Sequence, residues 1–556
     1  MGYTDKKNVL QLVALLRAYG IRQVVLCPGS RDVPLVQAFS TCGDFECYSV
    51  TDERSAGFFA IGLALQGRHP VAVCCTSGSA LLNLHPAVAE AFYRQVPLVV
   101  VSADRPAAWI GQMDGQTLPQ PGAFGGLVKK SVDLPEVRCG EDEWYVNRLV
   151  NEALLELDHH GFGPVHINVP LSEPLFRFET EKLPAVRRIV RHTLSANGLA
   201  EEILKQEMGT HTRCMVVAGQ LSREEAVVVS SCFSGTGVPW LAEVLGNVAP
   251  DSGAVRRFDE VLYAADEGTL EALRPDLVIT LGGHIVSKRL KQFLRRTRPL
   301  AHWHVAPDGQ PADLFCAQTI VVEASVEDFC RAWIRMRAAS LSEEYVCQWR
   351  EACARLTRPG MVYSELYAVA RILEALPVQS VLHLGNSSVV RLAELFPLPE
   401  GTEVQCNRGM NGIEGSVSAA VGYAAADDRL NVLLVGDLGF FYDMNGLWNG
   451  HVRSNLRIVV LNNGGGAIFH ALPGLDMQGD TCRFVTASHG ATARGWAESC
   501  GFTYLRATDT ISLLAALDDL FDAEASCPVL LEVFTEAETD AAALRDYYHG
   551  IKGGWK

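Results

Sequence analysis

Shifting the N-terminal third of this 556-residue chain forward by 360 residues lays it over the C-terminal third. Ala60, Gly62 and Ala64 fall on Ala420, Gly422 and Ala424. The strand running into Thr76-Ser77-Gly78 falls on the one running into Gly436-Asp437-Leu438, and Leu98-Val99-Val100-Val101 falls on Ile458-Val459-Val460-Leu461. Each copy reads helix, strand, small-residue turn, helix, strand, without a gap over about 40 residues. The competing explanation is generic α/β periodicity, which unrelated folds share. Duplication instead predicts two similar domains able to enclose one ligand jointly.

Strand-length apolar runs alternate with helical patterns along the whole chain. VVLCPG near Val24, VAVCCTSG from Val71, PLVVVSAD from Pro97, VHINVP from Val165 and MVVAG from Met215 read as strands. So do LVITLGG from Leu277, VLHLGN from Val381, VLLVGD from Val432, RIVVLNN from Arg457 and VLLEVF from Val529. Such alternation predicts parallel α/β sheets built from right-handed βαβ units. Polar, strand-poor stretches near 175–210 and 336–360 read as connections, the second partly helical. Three α/β domains are therefore expected, at 1–182, 190–340 and 350–556: two similar outer domains and a central one.

With 48 Lys+Arg against 64 Asp+Glu and a net charge of −16, the chain lacks the basic excess of a nucleic-acid binder. MGYTDKKNVLQLVALLRAYG at the start has no long apolar region and no small-residue cleavage site, and no apolar run approaches a membrane span. A cytoplasmic protein without a membrane span is expected. The 16 cysteines include no CxxC pair and read as small core residues in a reducing compartment. Neither G-x-G-x-x-G nor G-x-S-x-G occurs, so nicotinamide and serine-hydrolase readings find no support.

The segment GDLGFFYDMNGLWNGHVRSNLRIVVLNNGGG carries the most specific chemistry. Gly436-Asp437-Leu438 closes one strand, 23 residues follow, and Asn462-Asn463 closes the next. In a parallel sheet this crossover brings Asp437 and Asn463 to the same carboxyl edge. A carboxylate, a carboxamide oxygen and a nearby backbone carbonyl make a hard-oxygen set suited to Mg²⁺, with phosphate oxygens completing it. Gly464, Gly465 and Gly466 allow close approach of a diphosphate, and the N-terminus of the next helix favours its charge. A tight corner with a capping Asp and turn asparagines is the plain structural alternative. The two halves at this spacing resemble the thiamin diphosphate signature, which usually reads Gly-Asp-Gly; Leu438 departs from it.

Further motifs narrow the resemblance: CPGSRDVPL (27–35), TDERSAGFFAIGLA (51–64), TSGSALLNLHPAV (76–88), SADRPAAW (102–109), SKRL (287–290), GNSSVVR (385–391), NRGMNGIEG (407–415) and GDLGFFYDMNGL (436–447). On these the chain resembles the 2-succinyl-5-enolpyruvyl-6-hydroxy-3-cyclohexene-1-carboxylate synthase family, thiamin diphosphate-dependent transferases of menaquinone biosynthesis. The resemblance implies a thiamin diphosphate-binding fold whose N-terminal domain binds the pyrimidine and whose C-terminal domain binds the diphosphate. It implies thiamin diphosphate with Mg²⁺ or Mn²⁺ as cofactors, and a homodimer or homotetramer with sites between subunits. Glu53 is similar to the glutamate that hydrogen-bonds the aminopyrimidine and drives its amino–imino tautomerism; an apolar setting would raise its pKa and ease proton sharing. Ile413, opposite Glu53 under the 360-residue shift, is similar to the aliphatic wedge that holds the cofactor bent. Thr76, Gly78, Gly436, Asp437, Leu438, Asn463 and Gly465 complete the implied cofactor set, with Asp437, Asn463 and Gly465 at the metal.

The family's reaction decarboxylates 2-oxoglutarate and adds the succinyl carbanion equivalent to isochorismate. Two dianionic substrates call for planar, bidentate donors, which favours Arg over Lys. By resemblance Ser30, Arg31, Arg105, Lys288 and Arg289 fit the isochorismate side, and Ser387, Arg391 and Arg408 the oxoglutarate side, with Gln116 as a further substrate-binding residue. Gln116 is implied as catalytic, with Ile468 and Phe469 walling the pocket against water. Gly115 stands where relatives carry a polar amide, so one contact is expected to be missing or supplied elsewhere. In KRLKQFLRRTR, Leu290, Phe293 and Leu294 at i, i+3 and i+4 predict an amphipathic helix whose later arginines only solvate it. Two other readings stay open: an acetolactate synthase-like 2-oxoacid carboligase or decarboxylase, and a non-catalytic regulator that binds thiamin diphosphate. The central strands MVVAG and LVITLGG show no nucleotide or flavin fingerprint. The acidic net charge does not exclude anionic metabolites, because the local field decides their binding.

Overall fold

The computed structural model describes residues 2–191, 199–336, 343–471 and 480–555, so 192–198 and 337–342 of the two expected connections lie outside the described residues. The first sheet contains β1 (Gln23–Leu26), β2 (Glu46–Ser49), β3 (Val71–Cys75), β4 (Leu98–Asp104), β5 (Lys130–Asp133) and β6 (Val165–Pro170). The second contains β7 (Cys214–Ala218), β8 (Trp240–Ala242), β9 (Leu277–Leu281), β10 (Ala301–Ala306) and β11 (Gln318–Glu323). The third contains β12 (Val381–Leu384), β13 (Glu403–Cys406), β14 (Asn431–Gly436), β15 (Leu456–Asn462), β16 (Thr503–Ala507) and β17 (Val529–Phe534). Every registered pair of these strands is parallel. The central strands are buried end to end and rich in Val, Leu and Ile, as a parallel sheet covered on both faces requires.

The first sheet runs β2-β1-β3-β4-β6-β5 and the third β13-β12-β14-β15-β17-β16. Strand for strand these are the same permutation, including the reversal of the last pair. Generic periodicity does not dictate a shared six-strand order; the 360-residue repeat is therefore structural. All ten segments read as strands are strands. The stretch 175–210 is not only a connection: it contains the helix Leu199–Met208, which buries Leu204 and Met208 four residues apart.

The chain forms two compact units. One comprises Met1–Thr193, Gly409–Asp428 and Gly439–Leu456; the other comprises Leu194–Arg408, Arg429–Leu438 and Arg457–Lys556. In the first unit, the helix Glu53–Gly67 is capped by Asp52, whose carboxylate accepts the N–H groups of Arg54 and Ser55 at 3.0 and 3.3 Å. Residues 55–64 of this helix are buried all round, because the helix Ser416–Ala426 packs directly against it. Glycines make the crossing possible. A Cβ on Gly62 would lie 2.2 Å from the Ala419 carbonyl oxygen, and one on Gly422 would lie 2.2 Å from that of Phe59. These two contacts are each other's images under the 360-residue shift. We expect Gly62→Ala and Gly422→Ala each to cost about 1–3 kcal/mol, since the obstructing atoms are backbone and only helix separation can make room. Denaturant unfolding checks this; an unchanged midpoint in either variant would contradict the crossing.

The second unit holds the other two sheets over one continuous apolar core, running from Met215 and Val217 through Phe258 and Trp349 to Leu531 and Ile551. The helix Lys288–Thr297 buries Leu290, Phe293 and Leu294, as its spacing predicts.

Candidate active site

In the second unit, β14 and β15 lie side by side and end at Gly436 and Asn462, which sets Asp437 and Asn463 at one sheet edge. Asp437 is almost fully buried. Its Oδ1 accepts the Leu438 N–H at 2.6 Å and its Oδ2 the Gly465 N–H at 2.9 Å. His489 Nε2 stands 3.3 Å from the same Oδ2. Because His489 Nδ1 accepts the Ala491 N–H at 3.1 Å, the neutral ring carries its proton on Nε2, facing the carboxylate. Burial raises the Asp437 carboxyl from its ordinary value, while these N–H groups and His489 oppose the shift.

The glycine run is held in a backbone conformation that glycine alone adopts freely, and by close neighbours. Gly465 sits at φ +147°, and a Cβ there would meet the Thr486 carbonyl oxygen at 2.7 Å. Gly466 donates to that same carbonyl at 2.7 Å, and the Gly464 carbonyl accepts the His489 N–H at 2.9 Å. The segment Thr486–His489 thus braces the run from behind, a role no motif announces. A cavity of about 350 Å³ opens here, lined by Asn463, the Gly464–Gly466 run, Thr486, Ser488 and Glu538. After the glycines comes a short 3-10 turn, Ala467–Ala471, rather than the expected α-helix. Ile468 and Phe469 lie on this turn and are half-buried.

Do these groups fit a cation and a diphosphate? Among the described residues no group of three His, Cys, Asp or Glu side chains is arranged for a metal. Asn463 Oδ1, however, is buried without a hydrogen-bond partner among those residues, and leaving such an atom unpaired costs about 1–3 kcal/mol. The Gly465 carbonyl accepts one N–H, from Ala467 at 3.1 Å, and keeps a second lone pair. One carboxylate, one orphaned amide oxygen and one carbonyl suit a hard cation that draws its remaining oxygens from a bound anion. The cradle fits a metal diphosphate.

The oxoglutarate-side candidates gather in the same unit. Ser387 stands in the left-handed region at φ +72°, at the turn after β12. Arg408 is buried, donates to Asn386 Oδ1 at 3.0 Å, and has an Nε without a partner among the described residues. Burial and the nearby Arg408 lower the Arg391 guanidinium from its ordinary value. One further group escaped the sequence reading. Lys291 is lowered by burial and by Arg408, Arg295 and Arg391 against the pull of Glu243. Neither Arg391 nor Arg408 forms a salt bridge among the described residues, although Glu394 and Glu243 lie within electrostatic reach of Arg408 and Lys291; three cations gathered against two carboxylates favour an anion. Lys288 is exposed, whereas Arg289 is paired with Asp259 and stacked 5.0 Å from the Tyr263 ring and 4.1 Å from the Tyr548 ring.

The remaining candidates belong to the first unit. Glu53 opens its helix half-buried, and its Oε2 accepts the Asn83 amide at 3.1 Å. Ile413 is exposed; it lies nine residues before Gly422, as Glu53 lies nine before Gly62. Gly78, at φ +86°, donates to Gln120 Oε1 at 2.8 Å, and the Gln116 backbone passes 3.1 Å from where its Cβ would be. Thr76 is buried beside the Asp32 carboxyl, and Ser30 is exposed. Arg31 is buried, donating to the Leu171 carbonyl at 2.9 Å and pairing with Glu173 at 3.2 Å. Arg105 grips the Gly115 carbonyl at 2.8 and 3.1 Å and Asp114 at 2.9 Å, so Gly115 takes part through its backbone.

Three family models match in succession. A thiamine pyrophosphate enzyme N-terminal TPP-binding domain matches residues 9–123, a middle domain of thiamine pyrophosphate enzymes 192–384, and a C-terminal TPP-binding domain 384–533. The chain is 55% identical over 559 residues to a 2-succinyl-5-enolpyruvyl-6-hydroxy-3-cyclohexene-1-carboxylate synthase of Bacteroides fragilis, spanning 99% of this chain and 100% of the relative. It is 53% identical to the synthase of that name from Bacteroides thetaiotaomicron, over 99% of this chain and 100% of the relative. Against that of Porphyromonas gingivalis it is 39% identical over 99% and 98%.

Proposed function

The chain belongs to the 2-succinyl-5-enolpyruvyl-6-hydroxy-3-cyclohexene-1-carboxylate synthase family of thiamin diphosphate enzymes, and on that premise we propose that it removes CO₂ from 2-oxoglutarate and adds the remaining four-carbon unit to isochorismate in menaquinone biosynthesis. The observation that carries the choice of acyl donor is the cluster of Arg391, Arg408 and Lys291, in which the two arginines have no salt-bridge partner among the described residues. A small neutral acyl group would not need it. Arg391 and Arg408 bind the distal carboxylate of 2-oxoglutarate, with Ser387 beside them. Arg31, Arg105, Gln116 and Ser30 serve isochorismate, with Lys288 and Arg289 as further candidates.

Asp437, Asn463 and Gly465 hold Mg²⁺ or Mn²⁺ with the diphosphate, alongside Gly436 and Leu438; Thr76, Gly78, Ile413 and Glu53 serve the rest of thiamin diphosphate. When bound, that cofactor supplies the electron sink that decarboxylation of a 2-oxoacid requires. Glu53 holds a proton at its carboxylate, in an orientation fixed by Asn83. Ile468 and Phe469 keep water from the reacting carbon. No described helix is long and apolar enough to cross a membrane; we assign the protein to the cytoplasm, as a homodimer or homotetramer. Steady-state turnover with 2-oxoglutarate plus isochorismate, compared with pyruvate as the rival donor, tests the reading. We expect the first pair to dominate kcat/KM; preference for pyruvate would favour an acetolactate synthase-like activity.

A further inference from the structure

Two adjacent asparagines close β15, and a buried carboxylate orients each of them. Asn462 donates to Glu532 Oε1 at 2.7 Å and to the Ala491 carbonyl at 3.0 Å, while its Oδ1 accepts the Gly464 N–H at 3.1 Å. Both ends of that amide are satisfied. Asn463 donates to Asp540 Oδ2 at 3.2 Å, and its own Oδ1 is buried with no partner among the described residues. A carboxylate only accepts hydrogen bonds, so it dictates which end of an otherwise near-symmetric amide faces it. Asp540 is itself fixed: its Oδ1 accepts the Glu365 N–H at 2.7 Å and its Oδ2 the Thr535 hydroxyl at 2.7 Å. It lies on the C-terminal helix Ala537–Gly554, beyond the last residue matched by the C-terminal family model.

Resting on the metal-diphosphate reading above, we propose that Asp540 is a positioning residue that turns the Asn463 amide so that its oxygen, not its nitrogen, faces the cation. Asp540 touches neither cation nor substrate; it acts through Asn463. In Asp540→Asn the Glu365 N–H retains the carbonyl oxygen, so the new NH₂ group must face Asn463. The Asn463 amide then flips and presents NH₂ where the cation needs an oxygen.

The test is Mn²⁺ binding, titrated by electron paramagnetic resonance on the full chain with saturating thiamin diphosphate, alongside melting temperature. Asp540→Asn is expected to weaken Mn²⁺ binding about 10- to 100-fold, as loss of an outer-shell partner does, with melting shifted by only a few degrees. The reciprocal double variant Asn463→Asp with Asp540→Asn places a carboxylate on the cation side and an amide donor behind it, and is expected to recover the affinity. A merely structural role would lower the melting temperature without that recovery. Wild-type Mn²⁺ affinity in Asp540→Asn, with loss in Asp437→Ala, would overturn the positioning role and leave the metal site standing. Wild-type affinity in both would overturn the metal reading and this inference together.

Discussion

Replacing Glu53 with Gln is expected to lower turnover by about 10²- to 10⁴-fold, the range spanned by positioned acid–base groups, while leaving the melting temperature unchanged. The size of the effect follows from how little else the substitution alters. Glu53 begins its helix, Asp52 supplies the cap, and neither depends on a charge at residue 53. A Gln carbonyl oxygen still accepts the Asn83 amide that now binds Oε2. Only the capacity to hold and release a proton at the carboxylate is lost. Asn83→Ala should cost less, because it frees the carboxylate without neutralising it. Normal turnover in Glu53→Gln would remove Glu53 from the chemistry and revive the reading of a binding protein without catalysis.

Arg408→Ala is expected to cost about 2–5 kcal/mol in kcat/KM for 2-oxoglutarate, roughly 30-fold or more, expressed mainly as a raised KM. Arg408 is buried, its Nε has no hydrogen-bond partner among the described residues, and its Nη1 donates to Asn386. A desolvated guanidinium in this state gains most from a carboxylate, and the neighbouring Arg391 and Lys291 cannot reproduce its geometry. The KM for isochorismate should move much less. That split separates loss of a recognition group from general loosening of the site, which would raise both constants. An unchanged KM for 2-oxoglutarate would remove Arg408 from acyl-donor recognition.

The core strands were readable because they are continuous apolar runs buried on both faces. Six of the seven strands that escaped are the edges of the three sheets: ECYS, KSVD, WLA, QTIVVE, EVQC and TYLRA. An edge strand packs on one side only, so its sequence carries weaker periodicity and more polar residues. The seventh, AHWHVA, breaks its apolar run with His302 and His304, which share the Thr280 hydroxyl at 2.9 Å each. Gly62 and Gly422 could be read as repeats, but not as the paired clearance for a helix crossing, which exists only once both copies are packed.

At the site, the segments containing Asp437, Asn463 and the glycine run were legible because their spacing is set by one crossover. The supports were not. Asp540 comes 77 residues after Asn463, His489 lies behind the glycine run, and Glu90 accepts the Gly409 and Met410 N–H groups across 319 and 320 residues. No local pattern encodes such partners. Helical spacing suggested which face of the Lys288–Thr297 helix was buried, but not which cation on it was already engaged. Arg289 is taken by Asp259 and two tyrosine rings, whereas Lys291, one turn beyond Ser287, interacts electrostatically with Arg391 and Arg408.

The proposed reaction is tested most directly by the mass of the product formed from isochorismate and uniformly ¹³C-labelled 2-oxoglutarate. The expected product retains the isochorismate carbons and four labelled carbons, with the fifth recovered as ¹³CO₂. Labelled CO₂ with only a free four-carbon aldehyde, or no incorporation of label into an isochorismate-derived product, would contradict the proposed carbon–carbon bond formation.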